Sequence, residues 1–538
     1  MTLFRAEYIV LGFEIIIMQK TVLITGGAGF IGSHLCGHHL NKGHKVICVD
    51  SFFSGKKENI VSFLDNQNFK LIKHNIIEPL KQKFEQIDEI YNLACPASPL
   101  QYQFDPVLTL RTSVDGMRNM LDMARKYNAK IMQASTSEVY GDPLEHPQNE
   151  KYFGNVDPLG KRSCYDEGKR AAESLCKDYH DQYGVDVRII RLFNIYGPRM
   201  MFNDGRVISN FILQALLTDD ITVYGSGEQS RSFMYIDDLI IALDKMMALP
   251  SEKIGMRPIN LGNPDERTIQ SLAEDIKNYT KSQSKIVHLD YDLIPERLGD
   301  PKQRCPDIAR AKSLMDWQPT IDFKGGLINT ISDFQERLKN KTKIVICAPS
   351  YYPLEGPAEL TVKEMTNRLT GYDFDLIVAR MKKGLSDQEK IGRVTVYRLG
   401  FGNALDKYLL PLLAPFKILQ LNKKKDYQVV WGIMASYGSL SAVIFSLFSR
   451  RALLLSLYEG KIYQKATSIR RKLFKPLYRI IFKKANNLQI VGELTQQQLA
   501  WLEDYQNIQV VDLKRGWDYL AKRTKEQFQE LEILSSRL

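Results

Sequence analysis

At 538 residues the chain is longer than one hydrophobic core sustains, since single cores stop growing near ~250–300 residues. Its 44% hydrophobic and 25% charged content, with 34 glycines, excludes a collagen-like, coiled-coil or largely disordered protein. The net charge of +11 is unevenly shared: residues 1–340 carry 41 basic and 44 acidic side chains, residues 341–538 carry 32 and 18. The last third is therefore at +14, which points to two modules, only the second suited to a negatively charged surface such as lipid or nucleic acid.

Residues 1–17, MTLFRAEYIVLGFEIII, form an apolar stretch broken by Glu14, too short to span a bilayer and without a small-residue cleavage site. They read as an N-terminal extension, with Met18 as a natural start. The seven cysteines are odd in number and never form a CxxC pair, so the spacing suggests neither a metal cage nor a disulfide framework, and a reducing cytoplasm is the simplest compartment.

Lys20–Thr25 (KTVLIT) is a β-branched apolar run. It is followed by Gly26, Gly29 and Gly32 in GGAGFIG and then by the helical pattern SHLCGHHLNKG. Strand, glycine turn and helix N-terminus suit a pyrophosphate, because backbone N–H groups and the positive end of the helix dipole meet the phosphates where no side chain intervenes. The next strand, KVICVD, ends in Asp50, placed to accept hydrogen bonds from an adenosine ribose and to repel a ribose phosphate. The spacing favours NAD over NADP. Farther on, Tyr165 and Lys169 stand four residues apart on a predicted helix and so face the same way; the Lys169 ammonium is expected to lower the Tyr165 phenol so that it can act as a base.

The GxxGxxG spacing with TyrxxxLys resembles the extended short-chain dehydrogenase/reductase family. Within it, YNLACPASPLQY, ASTSEVYGDP, SCYDEGKR, RLFNIYGPRM, GEQSRSFMYIDDL and QRCPDI, between residues 18 and 338, resemble the UDP-glucuronate decarboxylases, or UDP-xylose synthases. The resemblance implies a Rossmann fold with a small substrate-binding subdomain over residues 18–340, tightly bound NAD, and a homodimer formed through the helix bearing Tyr165. It implies catalytic roles for Thr136, Ser137, Glu138, Tyr165 and Lys169. Thr136 and Ser137 would bond the sugar 4-oxygen, and Glu138 would manage protonation at the ring. Related sugar 4,6-dehydratases carry an aspartate where Ser137 stands, and a serine cannot expel a 6-hydroxyl.

The same resemblance places the cofactor against Gly26, Gly29, Phe30, Ile31, Gly32, Asp50, Ser51, Phe52, Ser54, Gly55, Asn75, Ile76, Leu93 and Thr112, besides Tyr165 and Lys169. It places the substrate against Tyr102, Arg111, Asn194, Arg206, Arg231 and Arg304, with Arg304 holding the uronate carboxylate. Asn75 stands where the family has aspartate, Ser51 and Ser54 replace Asn and Thr, Arg111 replaces Lys, and Ser113 replaces Asn. The function implied is NAD-dependent decarboxylation of UDP-glucuronate to UDP-xylose through a 4-ketone. A UDP-uronate 4-epimerase and a membrane-docked, non-catalytic scaffold for polysaccharide assembly remain as alternatives.

From Lys343 the runs KIVICAPS, DFDLIVAR, RVTVYRLG, DYQVVWGI, ALLLSLYEG and NNLQIVGEL alternate with helical patterns, predicting a second Rossmann-like α/β domain over 341–538. Its opening resembles the N-terminal half of a family-4 GT-B glycosyltransferase, and only 37 residues follow Trp501, too few for the donor-binding half. Tyr427–Ser449 is 23 residues without a charge and long enough to span a bilayer, but its serines and glycines favour strand, loop, buried helix and strand. Lys465–Lys484 interleaves eight cations with apolar residues and has no acid. It reads either as an amphipathic helix on an anionic membrane or as a solvated helix; no nucleic-acid motif accompanies it.

Overall fold

A computed structural model describes residues 19–202, 205–290, 303–354, 356–434, 436–458, 481–492, 508–511 and 516–537. The expected N-terminal extension 1–17 and residues 465–480 of the basic segment lie outside the described residues. The chain divides into two compact units, Met1–Gln335 and Glu336–Leu538, a division that falls within the helix Phe323–Lys339.

In the first unit seven parallel strands lie in the order β10-β6-β5-β4-β1-β2-β3. They are β1 (Thr21–Thr25), β2 (Lys45–Asp50), β3 (Phe69–Lys73), β4 (Glu89–Asn92), β5 (Lys130–Thr136), β6 (Val187–Leu192) and β10 (Ile259–Leu261). Helices cover both faces of a parallel sheet, so its strands read as unbroken apolar runs; Val22, Leu23 and Ile24 are fully buried. Strand order reverses between β4 and β1, and in such sheets ligands lie beyond the C-terminal strand ends at the reversal. Thr25, Asp50, Asn92 and Thr136 are those ends.

A smaller set of strands closes the other side: β7 (Asn194–Tyr196), β9 (Ser230–Tyr235), β11 (Glu266–Thr268) and β13 (Gln303–Arg304) share one sheet, and β8 (Ile221–Tyr224) pairs with β12 (Ile286–Leu289). The parallel register of β13 on β9 sets Arg304 beside Arg231, so two cations far apart in sequence arrive as neighbours.

The second unit is an eight-stranded sheet in the order β16-β17-β15-β14-β18-β19-β20-β21. Its strands are β14 (Thr342–Cys347), β15 (Tyr372–Ala379), β16 (Gln388–Ile391), β17 (Val394–Leu399), β18 (Val429–Ile433), β19 (Ala452–Tyr458), β20 (Asn487–Val491) and β21 (Ile508–Val511). All pairings are parallel except that of β16, an antiparallel edge strand. The six runs read from sequence are β14, β15, β17, β18, β19 and β20; the polar β16 (QEKI) and the four-residue β21 (IQVV) are too short to carry a comparable signal.

The uncharged stretch 427–449 supplies β18 and the helix Tyr437–Ser449, capped by Ser436. Among the described residues no helix is long and apolar enough to cross a membrane. A buried polar ladder crosses this unit: Trp431 Nε1 donates to Ser456 Oγ at 2.8 Å, Ser456 to Gln489 at 3.0 Å, and Gln489 Nε2 to Thr524 Oγ1 at 3.0 Å. Phe528, on the closing helix Trp517–Arg537, meets Trp431 edge-on at 5.2 Å.

Candidate active site

One cavity of about 370 Å³ runs along the C-terminal ends of the first unit's strands. At its nucleotide end Gly26 takes φ +67°, a left-handed conformation that costs glycine nothing. A Cβ on Gly32 would sit 2.2 Å from the Gly26 carbonyl oxygen, so only glycine lets the helix Phe30–Asn41 start against the turn. The first turn of that helix holds no acidic residue, leaving its N–H groups and dipole uncompensated toward the cavity. Asp50 is buried at the end of β2, where Oδ2 accepts from Ala28 N at 2.9 Å and Oδ1 from Phe52 N at 2.7 Å. Burial raises its pKa while those two bonds oppose the rise. A carboxylate has about four acceptor positions, so two bonds leave room for a diol.

Gly29, Phe30, Ile31, Ser51, Ser54, Gly55, Asn75, Ile76, Leu93 and Thr112 line the same cavity. Phe52 does not: it adopts φ +60°, and the neighbouring Phe53 takes the place in the wall expected of it.

At the other end Tyr165 sits in the first turn of the helix Ser163–Tyr183, and Thr136 closes β5. Tyr165 stacks on Tyr102 with ring centroids 5.1 Å apart and planes 8° from parallel. The Lys169 ammonium donates to the Ala134 carbonyl at 2.7 Å and lies 5.9 Å from the Tyr165 ring centre. Here the structure corrects the sequence expectation. Burial and the neighbouring Cys95 push the Tyr165 phenol up, against the lowering by the Thr136 hydrogen bond and the Arg206 charge. Lys169 spends its nearest contact on main chain.

Glu138 follows Thr136 and Ser137 in a single turn of 3₁₀ helix and is ion-paired with both Arg162 and Arg304. Burial raises its pKa, but the two guanidiniums outweigh burial, Arg162 most, and bring it to about 2. Glu138 is thus held ionised near neutrality, an acceptor in this arrangement rather than the proton donor that a protonation role would require. Asp166, buried and 3.9 Å from Arg162, moves the opposite way, to about 8, through burial and the Glu138 charge.

Arg304 is 3% exposed and donates to the Gly141 carbonyl at 3.0 Å, leaving its buried Nε without a partner. Most of its guanidinium is therefore committed to protein. Tyr102, Ser137, Asn194, Arg206 and Arg231 also line the cavity; Asn194 Nδ2 donates to Ser232 O at 3.2 Å and Arg206 Nη2 to Ala97 O at 3.2 Å. Arg111 is outside it: the helix Pro106–Tyr127 presents Leu108 and Thr112 to the cavity, and one residue is about 100° round a helix. Arg111 instead pairs with Asp115 at 2.9 Å on the half-exposed face. Sequence reading missed Arg162, although its i,i+4 relation to Asp166 was visible, and missed Cys95, whose Sγ lies 3.3 Å from Ser113 Oγ.

Comparison with known proteins fits this geometry. The family profile described as GDP-mannose 4,6 dehydratase matches residues 23–330. The chain belongs to this family. Among its curated relatives, UDP-glucuronic acid decarboxylase 1 of Arabidopsis thaliana is 48% identical over 320 residues, 60% of this chain and 71% of that protein. UDP-glucuronic acid decarboxylase 1 of Danio rerio is 48% identical over 323 residues, 60% of this chain and 74% of that protein. A solved member, the UDP-glucuronic acid 4-epimerase of Bacillus cereus in complex with UDP-glucuronic acid and NAD, superposes with a TM-score of 0.52 at 27% identity, covering 59% of this chain and 99% of its own. The Rossmann-like first unit is thus the family's fold.

Proposed function

We propose that the first unit is an NAD-dependent UDP-glucuronate decarboxylase that yields UDP-xylose through a 4-ketone. The observation that carries this reading is one continuous cavity joining the glycine turn and Asp50 to Tyr165, Thr136 and Arg304, in a unit 48% identical to curated decarboxylases. The donor set fits NAD: Gly26, Gly29, Phe30 and Ile31 would face its pyrophosphate and Asp50, whose carboxylate repels a ribose phosphate, its adenosine ribose. NAD supplies an acceptor for the hydride of the sugar 4-carbon and returns it at the end.

The chain's own residues handle protons and charge. Tyr165 enters the step as its phenolate, which the Thr136 hydrogen bond and the Arg206 charge favour against burial, and takes the 4-hydroxyl proton while Thr136 orients it. Once the 4-carbon is a ketone β to the carboxylate, the carbon–carbon bond breaks, carbon dioxide leaves and the electron pair passes to the 4-oxygen as an enolate; a solvent proton taken up at the 5-carbon restores the ketone, and the Tyr165 proton goes to the 4-oxygen as the hydride returns. Ser137 supplies a hydroxyl there and no acid to expel a 6-hydroxyl. Arg304, a cation in the cavity wall, is the group proposed to meet the uronate carboxylate. Asn194, Arg206 and Arg231 would meet the diphosphate end.

A 4-epimerase shares the ketone but keeps the carboxylate, and the Bacillus cereus neighbour supports keeping it as the second reading. Incubation with UDP-glucuronate without added reductant separates them: carbon dioxide and UDP-xylose support the decarboxylase, a uronate epimer overturns it.

For the rest of the chain, the strand order of the second unit supports reading it as the acceptor-side half of a GT-B transferase, and its +14 charge supports peripheral contact of residues 465–484 with anionic membrane. Exposed Val107 and Leu110 on the helix Pro106–Tyr127 support a homodimer through that helix and the one bearing Tyr165. Seven free cysteines accord with a cytoplasmic setting.

A further inference from the structure

Outside the substrate cavity three side chains of metal-ligating type converge: a nitrogen of His146, a carboxylate oxygen of Glu266 and the Cys305 sulfur all lie within 4.8 Å of one another. None of the three lines the cavity. They come from distant points of the chain, and the fold fixes their meeting. Glu266 begins β11 and pairs with Ser232 of β9, while Cys305 directly follows β13 on the other side of β9. The loop carrying His146 is tied to Cys305 twice, Gln148 N donating to Cys305 O and Cys305 N to Gln148 Oε1, each at 2.9 Å.

The individual contacts leave one ligand atom of each side chain within reach of a common cation. Ser230 Oγ holds Glu266 Oε1 at 2.7 Å, which orients the carboxylate and leaves Oε2 facing His146 Nε2 at 2.9 Å. The Cys305 thiol donates to the Pro264 carbonyl at 3.4 Å, a weak bond that metal ligation would replace. Cys305 is buried, whereas the His146 and Glu266 side chains are 38% and 26% exposed, so an ion can reach the site from solvent. An imidazole nitrogen, a thiolate and one carboxylate oxygen form a mixed donor set that suits zinc and excludes magnesium or calcium, which take oxygen.

We propose that His146, Glu266 and Cys305 form a zinc site with three protein ligands and a fourth position open to water. Loading it breaks the His146–Glu266 hydrogen bond and releases the Cys305 thiol proton to solvent. The ion would join the loop that follows Glu138 to the strands bearing Arg231 and Arg304. It would act as a clamp behind the arginine end of the cavity, with no part in the proton or hydride chemistry.

The test uses the full chain stripped of metal and titrated with Co²⁺. One equivalent should bind with a thiolate-to-cobalt charge-transfer absorption that Zn²⁺ then bleaches, and Cys305→Ser should lack the band, the six other cysteines serving as internal control. His146→Ala, at a partly exposed position, keeps the test independent of folding. Without metal it should melt with the parent, but it should lose the Zn²⁺-induced rise in Tm and bind Zn²⁺ at least ~10-fold more weakly, the least that disturbing even an outer ligand partner costs. No thiolate band in the parent, an undiminished band in Cys305→Ser, or an equal Zn²⁺ stabilisation of His146→Ala would each overturn the site.

Discussion

Tyr102 and Tyr165 lie face to face, 5.1 Å between centroids and 8° from parallel, so the base is held by its ring and acts through its hydroxyl. Tyr165→Phe keeps the stacked ring and deletes only the oxygen. Fold and NAD affinity should be unchanged, while turnover falls by at least ~10²-fold, the usual contribution of a positioned acid or base. Steady-state kinetics beside cofactor titration checks both halves, and turnover near that of the parent would remove Tyr165 from the chemistry.

Arg162 is the larger of the two charges that hold Glu138 ionised. In Arg162→Ala the Glu138 pKa should climb from about 2 toward its ordinary 4.5, so the acid limb of the kcat/KM profile should move to higher pH. At neutral pH kcat/KM should fall roughly tenfold, near the worth of one charge-assisted hydrogen bond. An unmoved acid limb would separate Glu138 ionisation from activity.

Asp166 carries a pKa raised from 3.8 to about 8 by burial and Glu138. Between those values the folded protein keeps a proton that the unfolded chain has lost, so the unfolded state binds fewer protons and stability falls as pH rises. Glu138 has the opposite sign, contributing stability above 4.5 that is lost as pH falls toward 2. Asp166→Asn should flatten the loss of Tm between about pH 4 and pH 8 and exceed the parent most at pH 8. Melts of the two proteins across that range give the comparison, and parallel curves would count against a buried protonated Asp166.

A Cβ on Gly55 would stand 2.7 Å from both Asp50 carboxylate oxygens. Gly55→Ala should therefore displace Asp50 and weaken NAD by roughly tenfold or more, about one hydrogen bond to a charged group, with UDP affinity unchanged. Isothermal titration with each ligand separates the two sites; equal losses would point to a general disturbance of the fold.

Both sheets were legible because parallel strands buried on two faces must be written as continuous apolar runs, as in KTVLIT and KIVICAPS. The glycine turn was legible because no other residue satisfies the 2.2 Å approach at Gly32. Arg111 and Phe52 were misplaced for want of register: a motif fixes which segment reaches the site, but a step of one residue turns a side chain away from it. The Glu138 pairings depend on Arg304 arriving through β13, 166 positions later in the chain, and on Arg162 in an irregular turn. Neither adjacency follows from local pattern, and the direction of the Tyr165 shift depends on burial that no motif records.

The central claim, that one hydride leaves and returns to the same sugar carbon as the carboxylate is lost, is tested most directly with UDP-glucuronate deuterated at the 4-position. The expected result is carbon dioxide release and UDP-xylose that retains the deuterium at that carbon, with no accumulation of reduced cofactor. A product that keeps its carboxylate, or UDP-xylose that has lost the label, would contradict it.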